Sequence, residues 1–441
     1  VEASYDIQAE KGVALPALPG LVADFIATSG EHVSYGFAVG ESERNMVWLN
    51  RAQYGLDEQT EITQHSLLIP FIFSSFTGAY YEVPPVQLGP EETHEFTKYF
   101  VVGDGDVSSI REEIFRIRGT SVHSVSGEVR DAMGAPVSDA DIHIYDAAKT
   151  PYSQVRSDAN GRFKTKLEAG EYYYIVSSKG RAPFPAKAER FSDETGFSAM
   201  ADGGAYVRIV LPAAGFARAE IRDESGRPIP AKVTFVANYA LSEECAACQR
   251  ECEALCDPRN YLFEFALGEN RFPTDLNWMK QQGGQYIQKI FYASGDGVGE
   301  GAIRPGTYDV YVSRGIEYDV DVKRGVVITP GDRAQIFATL RRVVDTTNYI
   351  SADLHVHSVN SLDSSLGLDK RVISGASEGL EIAVATDHNY VTDYAPAISR
   401  NGLGDWMSSM VGVELSTLEM GHFNAFPLRY DVGASSHFPF V

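Results

Sequence analysis

The stretch SADLHVHSVNSLDSSLGLDKRVISGASEGLEIAVATDHN, residues 351–389, contains two apolar segments that each end in polar residues able to bind a metal. In ADLHVH, His355 and His357 are one residue apart, so a β-strand would point both imidazoles to one face. The segment IAVATDH ends in Asp387 and His388. Because helix-like sequence, LDKRVISGASEGL, lies between the two segments, the stretch predicts parallel strands with polar groups gathered at their carboxyl ends.

A third apolar segment, VGVEL, follows at residues 411–415 and carries Glu414. We expect it to run parallel to the first two. The density of histidine in this region is higher than core packing requires. Of the ten histidines in the chain, five lie in the last ninety or so residues: His355, His357, His388, His422 and His437. Metal ligation is the function that this clustering predicts.

The first 120 residues contain short alternating segments such as HVSYGFAVG and HEFTKYFVVG, divided by Gly, Pro and Asn. This pattern is typical of an antiparallel β-sandwich with one buried face. A helix should close the domain, with Ser108 or Ser109 as its cap and Gly119 as its end.

Residues 121–212 and 213–345 form an internal repeat of two immunoglobulin-like β-sandwiches. The segment VSGEVRDAMGAPVSDADIHIY in the first is paralleled by ARAEIRDESGRPIPAKVTFVA in the second. Both resemble the carboxypeptidase-regulatory-like family, whose G-x-V-x-D-x-x-G-x-P-V opening matches Gly127 to Val137 well and Ala219 to Ile229 approximately. The resemblance implies structural spacer modules.

An insertion of about sixty residues, about 241–300, interrupts the second sandwich and contains all four cysteines of the chain. On a helix, Cys245, Cys248, Cys252 and Cys256 would share one face. Three interpretations stay open, namely paired disulfides, a thiolate metal or iron–sulfur site, and free buried thiols. The C-x2-C-x3-C-x3-C spacing matches neither the usual zinc-ribbon pair nor the ferredoxin run, which favours disulfides.

The C-terminal segment resembles the polymerase and histidinol phosphatase (PHP) family of metallohydrolases. The resemblance rests on D-L-H-x-H-S, on T-D-H at Thr386 to His388, and on G-x-E at Gly412 to Glu414. The details ASEGLEIAVATDHN and GHFNAFPL are similar to the carbaryl-hydrolase-like branch. The resemblance implies that residues 346–441 are the first part of a distorted (β/α) barrel that binds two or three divalent ions, usually Zn, Mn or Fe.

The same resemblance assigns roles to residues. The implied metal ligands are His355, His357, Asp363, His388 and Glu414, with Glu414 as the bridging carboxylate, and the implied catalytic residues are Glu414, Asp387 and His422. Asp353 and Asp387 would orient imidazoles from beside the ligands. For Asn389 and Asn424, contact with substrate and a polar capping role are both open.

The function that follows is that of a metal-dependent hydrolase acting on a small molecule. Clustered divalent ions lower the pKa of a bound water towards neutrality, which makes hydroxide available to attack an ester, carbamate or amide. A phosphoesterase using the same ions is an alternative, although only Lys370 and Arg371 offer cations near the ligands. A non-catalytic exported adhesion or assembly protein, built from the sandwich modules, is the alternative from another class.

Composition limits the partners. With 60 acidic and 38 basic side chains the formal net charge is -22, which argues against a diffuse nucleic-acid surface. No apolar run approaches the roughly 18–20 residues that would span a bilayer. The sandwich modules favour an extracytoplasmic location, periplasmic or secreted, with no signal sequence in this chain. Because barrels of this family continue beyond the G-x-E motif, we also expect a further polypeptide segment to complete the barrel.

We predict that the four cysteines are oxidised in the exported protein, because the insertion lacks an obvious core of its own and needs covalent cross-links. Mass spectrometry of unreduced peptides covering residues 245–256 should show the loss of four hydrogens. Four free thiols, or a stoichiometric metal bound to them, would contradict this.

Overall fold

The computed structural model describes residues 22–23, 25–30, 32–39, 45–46, 89–93, 98–149, 151–185, 189–200, 204–238, 285–361, 363–417 and 421–429. These residues are mostly strand, with three α-helices among them. They divide into two compact units near residue 214, with residues 179–181 belonging to the second. The cysteine segment and His437 lie outside the described residues.

The first unit begins with a three-stranded antiparallel sheet in the order β2-β3-β5, which one helix covers. The elements are β1 (Val22–Ala23), β2 (Phe25–Thr28), β3 (Ser34–Val39), β4 (Asn45–Met46), β5 (Lys98–Gly103) and α1 (Val107–Arg118), and β1 pairs with β4. Ile110 and Ile114 of α1 are 0% and 2% exposed, and both pack on Val101 and Ala38 of the sheet. The helix is present as predicted, whereas the described residues before 120 show this sheet and the short β1–β4 pair rather than a full sandwich.

The predicted cap of α1 was wrong. Asp106 is the N-cap, and its carboxylate accepts the backbone N–H of Ser109 at 2.8 Å. The two serines are used elsewhere, since Ser108 bonds Thr165 and the Ser109 hydroxyl donates to the carbonyl of Asp106. Gly119 ends the helix as predicted, with φ of 67°, the left-handed conformation that glycine adopts at low cost.

The rest of the first unit is a seven-stranded sandwich whose two sheets have the orders β11-β10-β7-β8 and β12-β6-β9. Its strands are β6 (His123–Asp131), β7 (Asp141–Asp146), β8 (Pro151–Arg156), β9 (Arg162–Leu167), β10 (Gly170–Ser177), β11 (Gly196–Ala199) and β12 (Ala205–Leu211). The core lies between the sheets and includes Val125, Ile144 and Leu167.

The second unit contains a sandwich of the same plan, with sheets ordered β15-β14-β17-β18 and β16-β13-β19. Its strands are β13 (Gly215–Asp223), β14 (Ala231–Asn238), β15 (Gln285–Ala293), β16 (Val298–Ile303), β17 (Gly306–Ser313), β18 (Asp321–Ile328) and β19 (Arg333–Leu340). In each sandwich the first strand pairs in parallel with the last, β6 with β12 and β13 with β19. The structure therefore has the internal repeat that the sequence predicts.

The repeated turn explains why both copies keep D-x-x-G-x-P. The Asp131 carboxylate accepts the backbone N–H groups of residues 133 and 135, both at 2.9 Å, and Asp223 accepts those of residues 225 and 227, also at 2.9 Å. Gly134 and Gly226 occupy positive φ, at 83° and 85°. A carboxylate that accepts two backbone N–H groups, together with a glycine free of Cβ strain, closes each turn.

The last part of the second unit begins as two strand–helix repeats and ends in an antiparallel hairpin. Its elements are β20 (Ala352–Val356), α2 (Leu368–Ser377), β21 (Ile382–Ala385), α3 (Ala395–Arg400), β22 (Ser408–Met410), β23 (Val413–Thr417) and β24 (Gly421–Ala425). Strands β20, β21 and β22 form a parallel sheet in that order. The predicted helix between the first two strands is present.

The third strand of the parallel sheet includes VGVEL as predicted, but it starts earlier, at β22. β22 pairs with β21, and the parallel bridge from Glu414 to His388 keeps the same register along the second strand. Between them a Cβ on Gly412 would lie 2.6 Å from the carbonyl oxygen of Ala385, so the two chain segments approach closely there. β23 also pairs antiparallel with β24, which the sequence did not predict.

Within this unit, Trp406 packs against both the sandwich core and the core of the strand–helix segment. The guanidinium carbons of Arg227 and Arg314 lie 4.1 and 4.6 Å from its ring centroid. Arg314 is 5% exposed and donates to the carbonyls of Pro230, at 2.9 Å, and Ala376. The sandwich and the strand–helix segment are thus joined by the two cation–π contacts of Trp406 and by the hydrogen bonds of the buried Arg314.

We predict that acid destabilises the first unit through His143. Burial lowers the pKa of His143 to about 4 from the usual 6.5, against the opposing charge of Asp141, and its Nε2 lies 3.0 Å from the Ser177 hydroxyl. Because the unfolded state binds this proton more readily, its contribution should be constant above pH 6.5 and should fall by about 3 kcal/mol at most as the pH drops to about 4.

Urea unfolding of His143→Gln, which keeps a hydrogen-bonding side chain but does not titrate, serves as the control for that pH window. The free energies of unfolding of the two proteins should diverge below pH 6.5. Parallel pH profiles for the two proteins would show that His143 contributes nothing.

Candidate metal centre

The candidate site lies where three strands of the second unit end. His355 is in β20, and His357 follows it directly. His388 comes three residues after β21, and Glu414 lies in β23. His422 is in β24, where it is paired with Ser416. The strand ends bring these side chains together as the sequence predicts.

Four imidazoles surround the Glu414 carboxylate. Its Oε2 lies 3.2 Å from Nε2 of His355, 3.2 Å from Nε2 of His357 and 3.2 Å from Nδ1 of His388. Its Oε1 lies 3.0 Å from Nδ1 of His422. The Glu414 side chain is 4% exposed, so this carboxylate is buried beneath a row of histidines.

Asp363 forms the other half of the cluster. Its two oxygens lie 3.3 Å from Nδ1 of His357 and 3.4 Å from Nε2 of His388. The Ser361 hydroxyl bonds the Asp363 carboxylate at 2.7 Å and lies 2.9 Å from Nδ1 of His357. The loop after β20 therefore supplies a second carboxylate to the same histidines.

These residues form three overlapping groups of possible ligands. The groups are His355, His357 and Glu414; His357, Asp363 and His388; and His388, Glu414 and His422, each with its ligand atoms within 4.8 Å. Ligands bound at about 2.0–2.2 Å to one ion, at octahedral or tetrahedral angles, are about 2.8–3.6 Å apart. The nitrogen–oxygen separations of 3.0–3.4 Å fall within that range.

Both carboxylates are suited to bind cations. Burial opposes ionisation of Glu414, but the hydrogen bond to His355 and the neighbouring imidazoles outweigh it and hold the pKa below its usual value. The hydrogen bond from Ser361 lowers the pKa of Asp363 despite partial burial. The mixed imidazole and carboxylate set fits Zn, Mn or Fe.

Asp387, predicted as a catalytic residue, is buried beside the cluster rather than open to it. It is 0% exposed and accepts the backbone N–H and the hydroxyl of Ser358, at 2.5 and 2.6 Å, and the hydroxyl of Thr392. Because three donors satisfy this carboxylate, the contacts support a role in fixing the loops around the site.

The other predicted neighbours of the ligands make backbone contacts. Asp353 accepts the backbone N–H of His355 at 3.0 Å, so this bond fixes the strand rather than the imidazole. Asn389, at φ 51°, bonds the backbone N–H and carbonyl of Ser416 at 2.9 and 3.1 Å, which is a capping role. Asn424 is paired with Glu414 across the hairpin.

Ser361 and Ser416 contact the ligands but were not predicted as site residues. The Ser416 hydroxyl bonds Nδ1 of His388 at 2.5 Å. Side chains two residues apart in a strand share a face. Because Ser416 comes two residues after Glu414, its position beside the ligands could have been predicted. Ser361 lies in a loop, where no such periodicity exists.

Comparison with known proteins supports the first sandwich module. A family model described as the carboxypeptidase regulatory-like domain matches residues 124–196. No curated protein matches the chain.

Among solved structures, the Bacillus anthracis TIE protein is 11% identical over 58% of this chain and 40% of its own length, at a TM-score of 0.19. This chain thus spans well under half of that protein. A shaft pilin SpaA from Lactobacillus rhamnosus GG is 10% identical over 51% of this chain and all of its own, at a TM-score of 0.26. A streptococcal ancillary pilin is 12% identical over 51% and 64%, at 0.23.

No helix among the described residues is long and apolar enough to cross a bilayer.

We predict that the purified protein binds at least two divalent ions and that His355→Ala combined with His357→Ala removes most of them. The reason is that one strand end carries both imidazoles and both contact Glu414. Plasma emission of the dialysed proteins measures the metal content.

His123→Ala, the same change in the other unit, is the control and should retain wild-type metal. Stoichiometric metal in the double variant would refute the assignment of these two residues.

Proposed function

We propose that the protein is a metal-dependent hydrolase that cleaves an ester, carbamate or amide bond of a small molecule. The observation that supports this most strongly is the buried Glu414 carboxylate with four imidazole nitrogens at 3.0–3.2 Å. A structural cation needs one closed shell of ligands, whereas three overlapping ligand groups fit several ions side by side.

Ions bound here would supply electrostatic activation of a water and polarisation of the substrate carbonyl. The protein's own residues would do the rest. Glu414 would hold the cluster together, and Asp363 would close it on the other side. The His355 and His422 side chains are 52% and 54% exposed, so substrate can reach this side of the cluster. With Nδ1 of His422 held by Glu414, its Nε2 is the atom suited to exchange a proton with the leaving group.

A carbonyl substrate fits better than a phosphoester. Phosphate recognition usually needs a bidentate cation beside the reacting group. Among the described contacts none joins Lys370 or Arg371 to a ligand residue, and Arg371 lines a separate cavity. The adhesion alternative has the two sandwiches in its favour, but a sandwich spacer does not need the imidazole cluster.

We also propose that the strand–helix segment is part of a larger barrel. The parallel strands β20, β21 and β22 with their two helices are consistent with the first part of a distorted (β/α) barrel of the PHP type. The open edge of β20 would pair with a further polypeptide segment, because parallel sheets are normally covered and extended on both sides. An extracytoplasmic location remains part of the proposal.

The test is hydrolysis of p-nitrophenyl acetate, 1-naphthyl N-methylcarbamate and p-nitrophenyl phosphate by the purified protein. We expect turnover of the first two to be lost after chelation and restored by Zn or Mn. Glu414→Gln, which keeps the side-chain volume, should lower kcat/KM by about 100-fold or more, and Asp387→Asn by about 10–100-fold through misplaced loops.

Arg116→Gln, an exposed change in the first unit, is the control and should leave kcat/KM unchanged. Turnover that survives both chelation and Glu414→Gln would overturn the proposal, and preference for the phosphate would favour the phosphoesterase.

A further inference from the structure

A cavity of about 370 Å³ lies within the second unit, between α2 and the edge of the parallel sheet. The cavity shares no lining residue with the candidate metal centre, because none of the six side chains of that centre borders the cavity. Its volume falls in the range of small-molecule sites in proteins. Neither the proposed hydrolase chemistry nor the sandwich repeat gives this cavity a role.

The lining contains both buried apolar and polar side chains. Its apolar residues include Val356, Val372, Ala383 and Met407, which are all at most 7% exposed. Its polar residues include Arg371. A ligand that fits both kinds of side chain is amphipathic, with an apolar body and one polar head.

Among the residues that the structure describes, the Arg371 side chain has no partner. Its Nε is buried and has no hydrogen-bond acceptor, and the described contacts include no ion pair for its guanidinium. Burial raises the pKa of both Tyr292 and Tyr394, and the positive charge of Arg371 opposes that rise. Buried donors are normally paired, so an acceptor from outside the described residues is expected here.

The two acidic groups of the lining are already engaged. Glu378 pairs with Lys232 at 2.5 Å, and the Asp353 carboxylate accepts the backbone N–H of His355 at 3.0 Å. In the part of the chain that the structure describes, neither carboxylate forms a hydrogen bond or an ion pair with Arg371. An anionic head on a ligand would therefore gain a charge-assisted, bidentate partner at Arg371.

We propose that this cavity binds a medium-chain or aromatic carboxylate, with its apolar body against the apolar lining residues and its carboxylate on Arg371. This site does not depend on the proposed hydrolase function, so either can fail without the other.

The test is calorimetric titration of the purified protein with sodium octanoate, and with 1-octanol and octylammonium as probes of the same chain length. Octanoate should bind saturably with one site per chain, and the other two more weakly by about tenfold or more, because they cannot accept both guanidinium N–H bonds. Arg371→Gln should weaken octanoate by at least about tenfold.

Lys370→Gln removes the same charge from the adjacent position of α2, which does not line the cavity, and should leave octanoate affinity unchanged. Arg371→Lys keeps the charge but loses the planar guanidinium that can donate two parallel hydrogen bonds, so it should give an intermediate affinity. Near-ultraviolet circular dichroism establishes that the variants are folded.

Three outcomes would overturn the proposal: no saturable binding of octanoate, equal binding of octanol and octanoate, or unchanged octanoate affinity in folded Arg371→Gln. Parallel weakening by Lys370→Gln and Arg371→Gln would show a diffuse charge effect instead of this site.

Discussion

The arrangement of the candidate site depends on one buried carboxylate. Glu414 has nearly no solvent contact, yet four imidazoles approach its two oxygens within 3.2 Å. Three of the four imidazole nitrogens lie 3.2 Å from the same oxygen, Oε2, which has two lone pairs, so at most two of them could donate a hydrogen bond to it in good geometry. Cations bound between the side chains, as we propose, would resolve this crowding, since they need acceptor nitrogens and oxygens at about these separations.

The register of the third strand is what brings Glu414 to that place. Strand β22 pairs with β21, and the parallel bridge from Glu414 to His388 keeps the same register beyond Gly412, which passes so close to the carbonyl of Ala385 that a side chain would collide. Because β23 also pairs antiparallel with β24, His422 arrives from the opposite strand of a hairpin. The contacts of Arg314 and Trp406 join this segment to the sandwich of the same unit, which gives the module a supporting role in the fold.

Much of the fold and of the site could be predicted because it depends on local periodicity. The two-residue spacing predicted that His355 and His357 act together, and both reach Glu414; the repeated D-x-x-G-x-P turn predicted two related sandwiches, and both have the same strand pairing. What could not be predicted depends on distant partners. Ser108, predicted as a possible cap of α1, instead bonds Thr165, 57 residues away, and Asp106 is the cap. The antiparallel pairing of VGVEL with β24 depends on a partner strand that the periodicity of VGVEL itself does not record.

The most direct measurement is a crystal structure with anomalous diffraction collected on both sides of the Zn and Mn absorption edges. We expect at least two anomalous peaks, each about 2.0–2.2 Å from ligand atoms. At least one of these peaks should lie beside the Glu414 carboxylate. Ordered histidines at their present positions without any anomalous peak near Glu414, in protein prepared with these metals, would contradict the claim that this cluster is a metal centre.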